Sequence, residues 1–271
     1  MLETVFLGAL QGLTEFLPVS SSGHLVLAQG LLGWREPAVS FDVMLHLATM
    51  AATLVYFGRE IVSLLAEWLQ GFAGGDRRDT EGWRTGWAVL AGSVVTVAVV
   101  LLVKPFVEKA FASPLAVGVS LLATACVLWF GSNIRTGNRR LSVATGLWTG
   151  LAQAVAVFPG LSRSGLTIVT GLKRGLAPET AFAFSFFLSL PAIAGATLLQ
   201  TLNVPEGLSF FSRLPAGWAA GMAAAFITGL AALALLRRVV LRGRWRGFAV
   251  YCAAAGLVVI AVEIFRGGTG L

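Results

Sequence analysis

The chain has 271 residues, 56% of them hydrophobic and only 12% charged, which is about half the charged fraction of a soluble domain. With a mean hydropathy of +0.82, this composition excludes a water-soluble globule and calls for solvation by lipid. The net charge of +7 does not indicate a nucleic-acid partner, because the basic residues stand in short segments between apolar runs, as they do in membrane proteins.

Taken in chain order, the first element is an interrupted one. Residues 2–32 are apolar but broken by a polar Pro/Ser/Gly cluster. The start lacks a basic stretch and carries Glu3 and Glu15, so no cleavable leader is read there. Full spans are predicted at 41–58, 85–103 and 114–131, with the polar stretch 71–82 read as a solvated loop. Residues 143–173 form a second interrupted region, and spans follow at 178–202, 216–236 and 247–265. Each arm of an interrupted region has roughly 10–16 residues and reaches about 15–24 Å as a helix. That is short of a hydrocarbon core of about 30 Å, so each region is predicted to be a re-entrant helix–loop–helix. Such backbone is tolerated at membrane depth only beside protein or a polar cavity. The cysteines, Cys126 and Cys252, fall inside apolar runs and read as small helix-packing residues rather than a disulfide or zinc site.

The two interrupted regions repeat one another. Gly8, Gln11, Ser22 and Gly23 correspond to Gly150, Gln153, Ser164 and Gly165 at one constant offset, and only Pro18 and Pro159 slip by a position. Orientation follows from the basic residues. The segments 59–84, 132–140, 173–174 and 237–246 hold 14 Lys and Arg, against 5 (Arg35, Lys104, Lys109, Arg213 and Arg266) in the alternate loops, with Arg163 inside the second hairpin. The first set is therefore expected to face the cytoplasm, with both termini outside and the hairpins entering from opposite sides. The expected fold is an all-α polytopic membrane protein forming one domain over 1–271. It has six transmembrane helices and two re-entrant hairpins in an inverted-topology repeat, about 1–131 and 141–266. Inverted repeats with broken helices meeting at the midplane are a known way to build a substrate site.

The chemistry-bearing residues fall at the hairpin tips. The first tip places Glu15, Ser20, Ser21, Ser22, Gly23 and His24 within ten residues. Ionisable groups inside a membrane segment are functional candidates by default. The serines can cap the following helix, whose first N–H groups favour an anion, especially phosphate. The second tip, with Ser162, Arg163, Ser164 and Gly165, repeats the cap and adds a guanidinium suited to forked bonds with phosphate oxygens. A Ser hydroxyl needs a neighbouring base to act as a nucleophile. His24 lies three residues beyond Ser21, and the two are expected to meet, with Glu15 orienting His24 or holding a metal. Direct attack by His24 on phosphorus stays open. His46 is read as a structural histidine, and Asp42, Glu179 and Glu263 as structural residues at span ends.

The runs Glu15-Phe-Leu-Pro-Val-Ser-Ser-Ser-Gly-His24 and Pro159-Gly-Leu-Ser-Arg-Ser-Gly165 resemble the two signature motifs of bacterial undecaprenyl-pyrophosphate phosphatases, the group also linked to bacitracin resistance. The resemblance covers nearly the whole chain. It implies hydrolysis of undecaprenyl pyrophosphate to the monophosphate, which recycles the carrier lipid for peptidoglycan synthesis. It also implies residence in the bacterial inner membrane, a site reached from the outer side, and support from a divalent cation such as Mg or Ca. By motif position Glu15 matches the family's second acidic residue, Ser21 the nucleophilic serine, His24 the motif histidine and Arg163 the motif arginine. Gln11, Ser20, Ser22, Gly23, Ser162, Ser164 and Gly165 are the expected substrate-binding set. Gln11 departs from the pattern, since the family often has Glu there, so a carboxylate pair is not available to hold a metal with Glu15.

A transporter or flippase for a phosphorylated polyprenyl lipid or an anion is the alternative reading, because inverted repeats and broken helices also characterise transporters. The small-residue face Gly217-Trp-Ala-Ala-Gly221 is compatible with a homodimer.

Overall fold

The computed structural model describes residues 1–34, 39–134, 137–202 and 214–268. Their regular structure is helical, in the order α1 (Leu2–Phe16), α2 (Ser21–Leu31), α3 (Val39–Tyr56), α4 (Gly58–Gly71), α5 (Glu81–Phe111), α6 (Pro114–Gly131), α7 (Val143–Val155), α8 (Arg163–Lys173), α9 (Pro178–Leu202), α10 (Trp218–Leu241) and α11 (Arg246–Gly268). Helices α5, α6, α9, α10 and α11 are long and apolar enough to cross a membrane, and the pair α3–α4, bent by 77°, makes a sixth if it counts as one span. The interrupted regions are the two short pairs α1–α2 and α7–α8.

Two stretches differ from the sequence expectation. Residues 58–71, inside the segment counted as a loop, form the amphipathic helix α4, on which Val62, Leu65 and Leu69 stay exposed. These positions fall within one face at helical spacing. The stretch 71–82 is structured in large part. It contains a 3₁₀ turn, Gly75–Asp79, and the start of α5, where the Thr80 hydroxyl accepts the Trp83 amide at 3.3 Å. Capping there lengthens α5 to 31 residues, about 46 Å, well past the predicted 85–103.

Close helix contacts fix the long arms of both short pairs. Helix α1 packs along α10 and α7 along α5. A Cβ on Gly8 would lie 2.0 Å from the Gly221 carbonyl oxygen, and one on Gly150 would lie 2.2 Å from that of Gly92. Only a residue without a side chain lets main chains approach so nearly. The Thr228 hydroxyl donates to the Ala9 carbonyl at 3.2 Å across the first contact, and Thr96 donates to the Gly150 carbonyl at 3.0 Å across the second. At the face Gly217–Gly221, read as compatible with a homodimer, Gly217 and Gly221 pack against α1, while Ala219 and Ala220 stay exposed.

The basic segments touch one another at one end of the bundle. Arg84 and Arg140 share Asp79, the Arg139 amide donates to the Gly175 carbonyl at 2.9 Å, and Arg246 donates to Asn133 Oδ1 at 3.3 Å. Among the residues used for orientation, Arg35, Arg135 and Arg213 lie outside the described residues, as does the Arg266 side chain. At the centre, Phe16, Phe57, Phe182 and Phe186 interlock edge to face and stacked, with ring centres 5.0–6.0 Å apart.

Leucine at Gly8 or Gly150 is expected to destabilise the protein by about 1–3 kcal/mol or more through overpacking. Leucine at Gly30, where an added Cβ meets nothing within 4 Å, is expected to leave the unfolding midpoint near wild type. Thermal unfolding in detergent distinguishes them, and an equal response at all three positions contradicts the assignment.

Candidate active site

The turns that end α1 and α7 meet. Ser20 caps α2, and its Oγ accepts the Gly23 amide at 3.4 Å and, from the other hairpin, the Gly160 amide at 3.0 Å. Ser162 caps α8 in the same way, accepting the Gly165 amide at 3.1 Å. Each cap serine lies beside the serine two positions on, Ser20 to Ser22 at 3.5 Å and Ser162 to Ser164 at 3.3 Å. The close fit explains the glycines. A Cβ on Gly23 would stand 3.2 Å from the Gly160 backbone, and one on Gly165 would stand 3.2 Å from Leu128 and from Ser162 Oγ. Ser20 is the one non-glycine among the described residues with positive φ, at 71°, a costly conformation of the kind found at functional sites.

This meeting brings Glu15 and Arg163, 148 residues apart, into an ion pair through Oε1 and Nη2, with the carboxylate buried and the guanidinium partly so. The other carboxylate oxygen, Oε2, accepts the Ser21 hydroxyl at 2.7 Å and the Gln11 amide at 3.1 Å. His46 Nε2 lies 3.6 Å from the same oxygen. The His46 Nδ1–H donates to the Asp42 carbonyl at 2.7 Å, which fixes the direction of the ring. Arg163 also lies over the Phe186 ring, 5.9 Å from its centre. Two atoms of the cluster, Arg163 Nη1 and Gln11 Oε1, are buried without a hydrogen-bond partner. A buried guanidinium N–H left unpaired is costly, and an anionic oxygen would satisfy it.

Glu15, Gln11, Ser21 and Arg163 therefore form one network. Ser20, Ser162, Ser164, Gly23 and Gly165 are buried and build the two turns around it, while Ser22 keeps partial exposure. His24 does not meet Ser21 as the spacing predicted. Its Nδ1–H donates to the Ser20 carbonyl at 2.7 Å, which leaves Nε2 of the neutral ring to accept the Tyr251 hydroxyl, also at 2.7 Å. The His24 and Tyr251 rings stack at 12°. Helical spacing alone did not set the direction of the ring, which leans toward its N-terminal turn and here reaches the Ser20 carbonyl.

Three contributors escaped the sequence reading. His46 faces Glu15, Tyr251 holds His24, and Thr124 on α6 ties down the second turn. Thr124 donates to the Gly160 carbonyl at 2.9 Å and accepts the Ser162 amide at 3.0 Å. The signal for Tyr251 was its rarity, one of two tyrosines in the chain. Thr124 gave only an isolated hydroxyl within an apolar run.

These features define a polytopic helical membrane protein with a buried serine–carboxylate–arginine site between two capped helix starts. A family model described as Bacitracin resistance protein BacA matches residues 4–258, and the chain belongs to that family. It is 42% identical to an undecaprenyl-diphosphatase of Desulfosudis oleivorans, over 96% of this chain and 97% of that one. It is 41% identical to one of Syntrophotalea carbinolica, over 97% and 98%, and 39% identical to one of Desulforapulum autotrophicum, over 95% and 96%.

Replacing Ser20 separates the two contributions it makes. Both Ser20→Ala and Ser20→Gly remove the acceptor of two buried amides, an expected loss of about 1–3 kcal/mol. Only glycine adopts the positive φ freely, so Ser20→Gly is expected to be the more stable of the two by about 1 kcal/mol. Urea or thermal unfolding of both variants reads the order, and the reverse order contradicts this account.

Proposed function

We propose that this chain hydrolyses undecaprenyl pyrophosphate to undecaprenyl phosphate and inorganic phosphate, with Ser21 Oγ as the attacking atom. The observation that carries the chemical step is the network Ser21–Glu15–Arg163, assembled across the two hairpin turns. A hydroxyl that donates to a buried carboxylate has its base in place. The unpaired Nη1 of Arg163 is a ready donor for a phosphoryl oxygen.

The reaction runs in two displacements. Ser21 Oγ forms a bond to the terminal phosphorus while its proton passes to Glu15. The bond from that phosphorus to the bridging oxygen breaks, and the lipid monophosphate leaves with the electron pair and takes the proton from Glu15. Water, deprotonated by Glu15, then attacks the phosphoserine and releases phosphate, and the proton returns to Ser21. Arg163 and the free first amides of α2 and α8 stabilise charge on the phosphoryl oxygens, typically a large catalytic contribution. His24 holds the Ser20 carbonyl and is a positioning residue in this scheme. The alternative, a transporter for the phosphorylated lipid, needs no serine–carboxylate pair and gains no support from the relatives' names.

The residues present do not make a resident divalent-cation site. Among the described residues no three of His, Cys, Asp and Glu gather for one, both Glu15 oxygens already take donors, and Gln11 stands where a second carboxylate would be needed. A supporting cation would have to arrive on the pyrophosphate.

The membrane arrangement belongs to the same proposal. The α1–α2 and α7–α8 pairs are read as re-entrant and inversely oriented, the basic end of the bundle as cytoplasmic, both termini as outside, and the site as open to the outer face of the inner membrane. The mutual contacts of the arginine-rich segments and the matching cap bonds of Ser20 and Ser162, each to the amide three residues on, support this reading. Accessibility of single cysteines at Glu3 and Lys173 to an impermeant thiol reagent in intact cells tests it. Labelling is expected at the first position alone, and the opposite pattern overturns the orientation.

Phosphate release from a polyprenyl pyrophosphate by the purified protein is the direct assay. Ser21→Ala is expected to fall below about a thousandth of the wild-type rate, and Arg163→Ala to lose about a hundredfold or more. Brief incubation with substrate labelled on the terminal phosphate is expected to trap an acid-stable phosphoserine. An acid-labile phosphohistidine would instead make His24 the attacking group.

A further inference from the structure

The cavity whose chemistry the reaction leaves unused lies at the basic end of the bundle. It has a volume of about 310 Å³ and is lined by Ser132, Gly243, Arg244, Arg246 and Gly247. Ser132 follows the last turn of α6, Gly243 lies in the α10–α11 turn with φ 63°, and Arg246 and Gly247 open α11. Since α6 and α11 are both candidate spans packed along one another, the cavity sits where two spans end, at the depth of the lipid headgroups.

Its charge is uncompensated. Arg84 and Arg140 share Asp79, and Arg237 pairs with Glu179. Neither Arg244 nor Arg246 has a carboxylate partner among the described residues, and no acidic side chain lines the cavity. Arg246 is held in place by neutral groups, donating to Asn133 Oδ1 and lying 5.4 Å over the Trp129 ring. Pre-positioning by an amide and an indole keeps the guanidinium charge available. The backbone is bare on the same side, because an added Cβ at Gly243 or Gly247 meets nothing within 4 Å. The first amides of α11 have no acceptor within the helix, which favours an anion there.

The flanks of the cavity are apolar and open. Trp129 and Phe130 on α6 and Val250 on α11 are exposed, and a tryptophan at a span end is typical of the membrane interface. Ordinary enrichment of arginine in cytoplasmic loops explains the sign of the charge. It does not explain a cavity between two spans with its arginines unpaired and one of them fixed on a tryptophan. The cavity is also separate from the reaction site. Thr124 bonds the second hairpin turn, and Ser132, just past the end of α6, lies eight positions further on, about 12 Å away, with buried Leu128 between.

We propose that this cavity binds the phosphodiester headgroup of an anionic phospholipid, with Arg244, Arg246 and the start of α11 on the phosphate and the acyl chains along Phe130 and Val250. The proposal is independent of the reaction assigned to Ser21, and its test uses no turnover. The purified protein in neutral detergent is titrated with phosphatidylglycerol, phosphatidylcholine and inorganic phosphate, and bound lipid is read by native mass spectrometry and by the shift in unfolding temperature. Phosphatidylglycerol alone is expected to be retained and to raise the unfolding temperature. In the Arg244→Gln/Arg246→Gln variant its dissociation constant is expected to rise roughly twenty-five-fold, about fivefold for each arginine.

A second variant, Gly247→Leu, fills the cavity from an open helical position that tolerates a side chain, and is expected to abolish binding while folding as wild type. Equal retention of phosphatidylglycerol by wild type and Gly247→Leu overturns the proposal. So does equal stabilisation by phosphatidylcholine, or protection by inorganic phosphate matching that of the lipid, which would reveal a site for free anions.

Discussion

The structure depends on one contact between polar turns inside an apolar molecule, the Gly160 amide donating to Ser20 Oγ. Each hairpin alone leaves a turn with unpaired backbone groups, which cannot persist in lipid. Joined, the turns satisfy one another, and Thr124 of α6 takes the remaining Gly160 carbonyl and Ser162 amide. The ion pair between Glu15 and Arg163 exists because of that closure. A buried pair gains little net energy over an apolar filling, but removing one partner typically costs about 3–5 kcal/mol because the other charge is left unpaired. The energetics thus favour retaining both charges or exchanging one partner for another anion, and a pyrophosphate is such an anion.

The same logic assigns the donors. Glu15 receives the Arg163, Ser21 and Gln11 groups, so its charge is spread before any substrate arrives. Arg163 has one hand engaged and one unpaired. The carboxylate holds the Ser21 hydroxyl by one oxygen and the guanidinium by the other. It could not do so on a mobile loop. Phe186 under the guanidinium and the interlocked Phe16, Phe57 and Phe182 make the support rigid.

Much of this was legible in the sequence for identifiable reasons. The interrupted regions read at 2–32 and 143–173 are the helix pairs over 2–31 and 143–173. The constant offset between Gly8–Gly23 and Gly150–Gly165 pointed to like turns, and the cap bonds of Ser20 and Ser162 match, whereas their backbones differ, with φ 71° at Ser20 and −84° at Ser162. Spans 114–131 and 178–202 coincide with α6 and α9, where Ser113 with Pro114, and Pro178, mark the starts. Helix α4 was missed because Arg59, Glu60 and Glu67 dilute its hydropathy, although Val62, Leu65 and Leu69 keep helical spacing. Ser21 bonds Glu15 and His24 bonds Tyr251, not one another, because spacing along one helix gives proximity, whereas the direction in which a ring turns depends on another element, here Tyr251 on α11. His46 looked structural for the same reason. Nothing near it in the chain points to Glu15.

The contacts of Gly8 with Gly221 and of Gly150 with Gly92 are main chain against main chain. Such surfaces have no rotamers to exchange, so the jostling of lipid-facing side chains is not relayed through them to the turns. Changes in fluidity that loosen the outer shell then leave the spacing of Glu15 and Arg163 to two stiff seams, which lets a reaction needing sub-ångström alignment run in a solvent as restless as a bilayer.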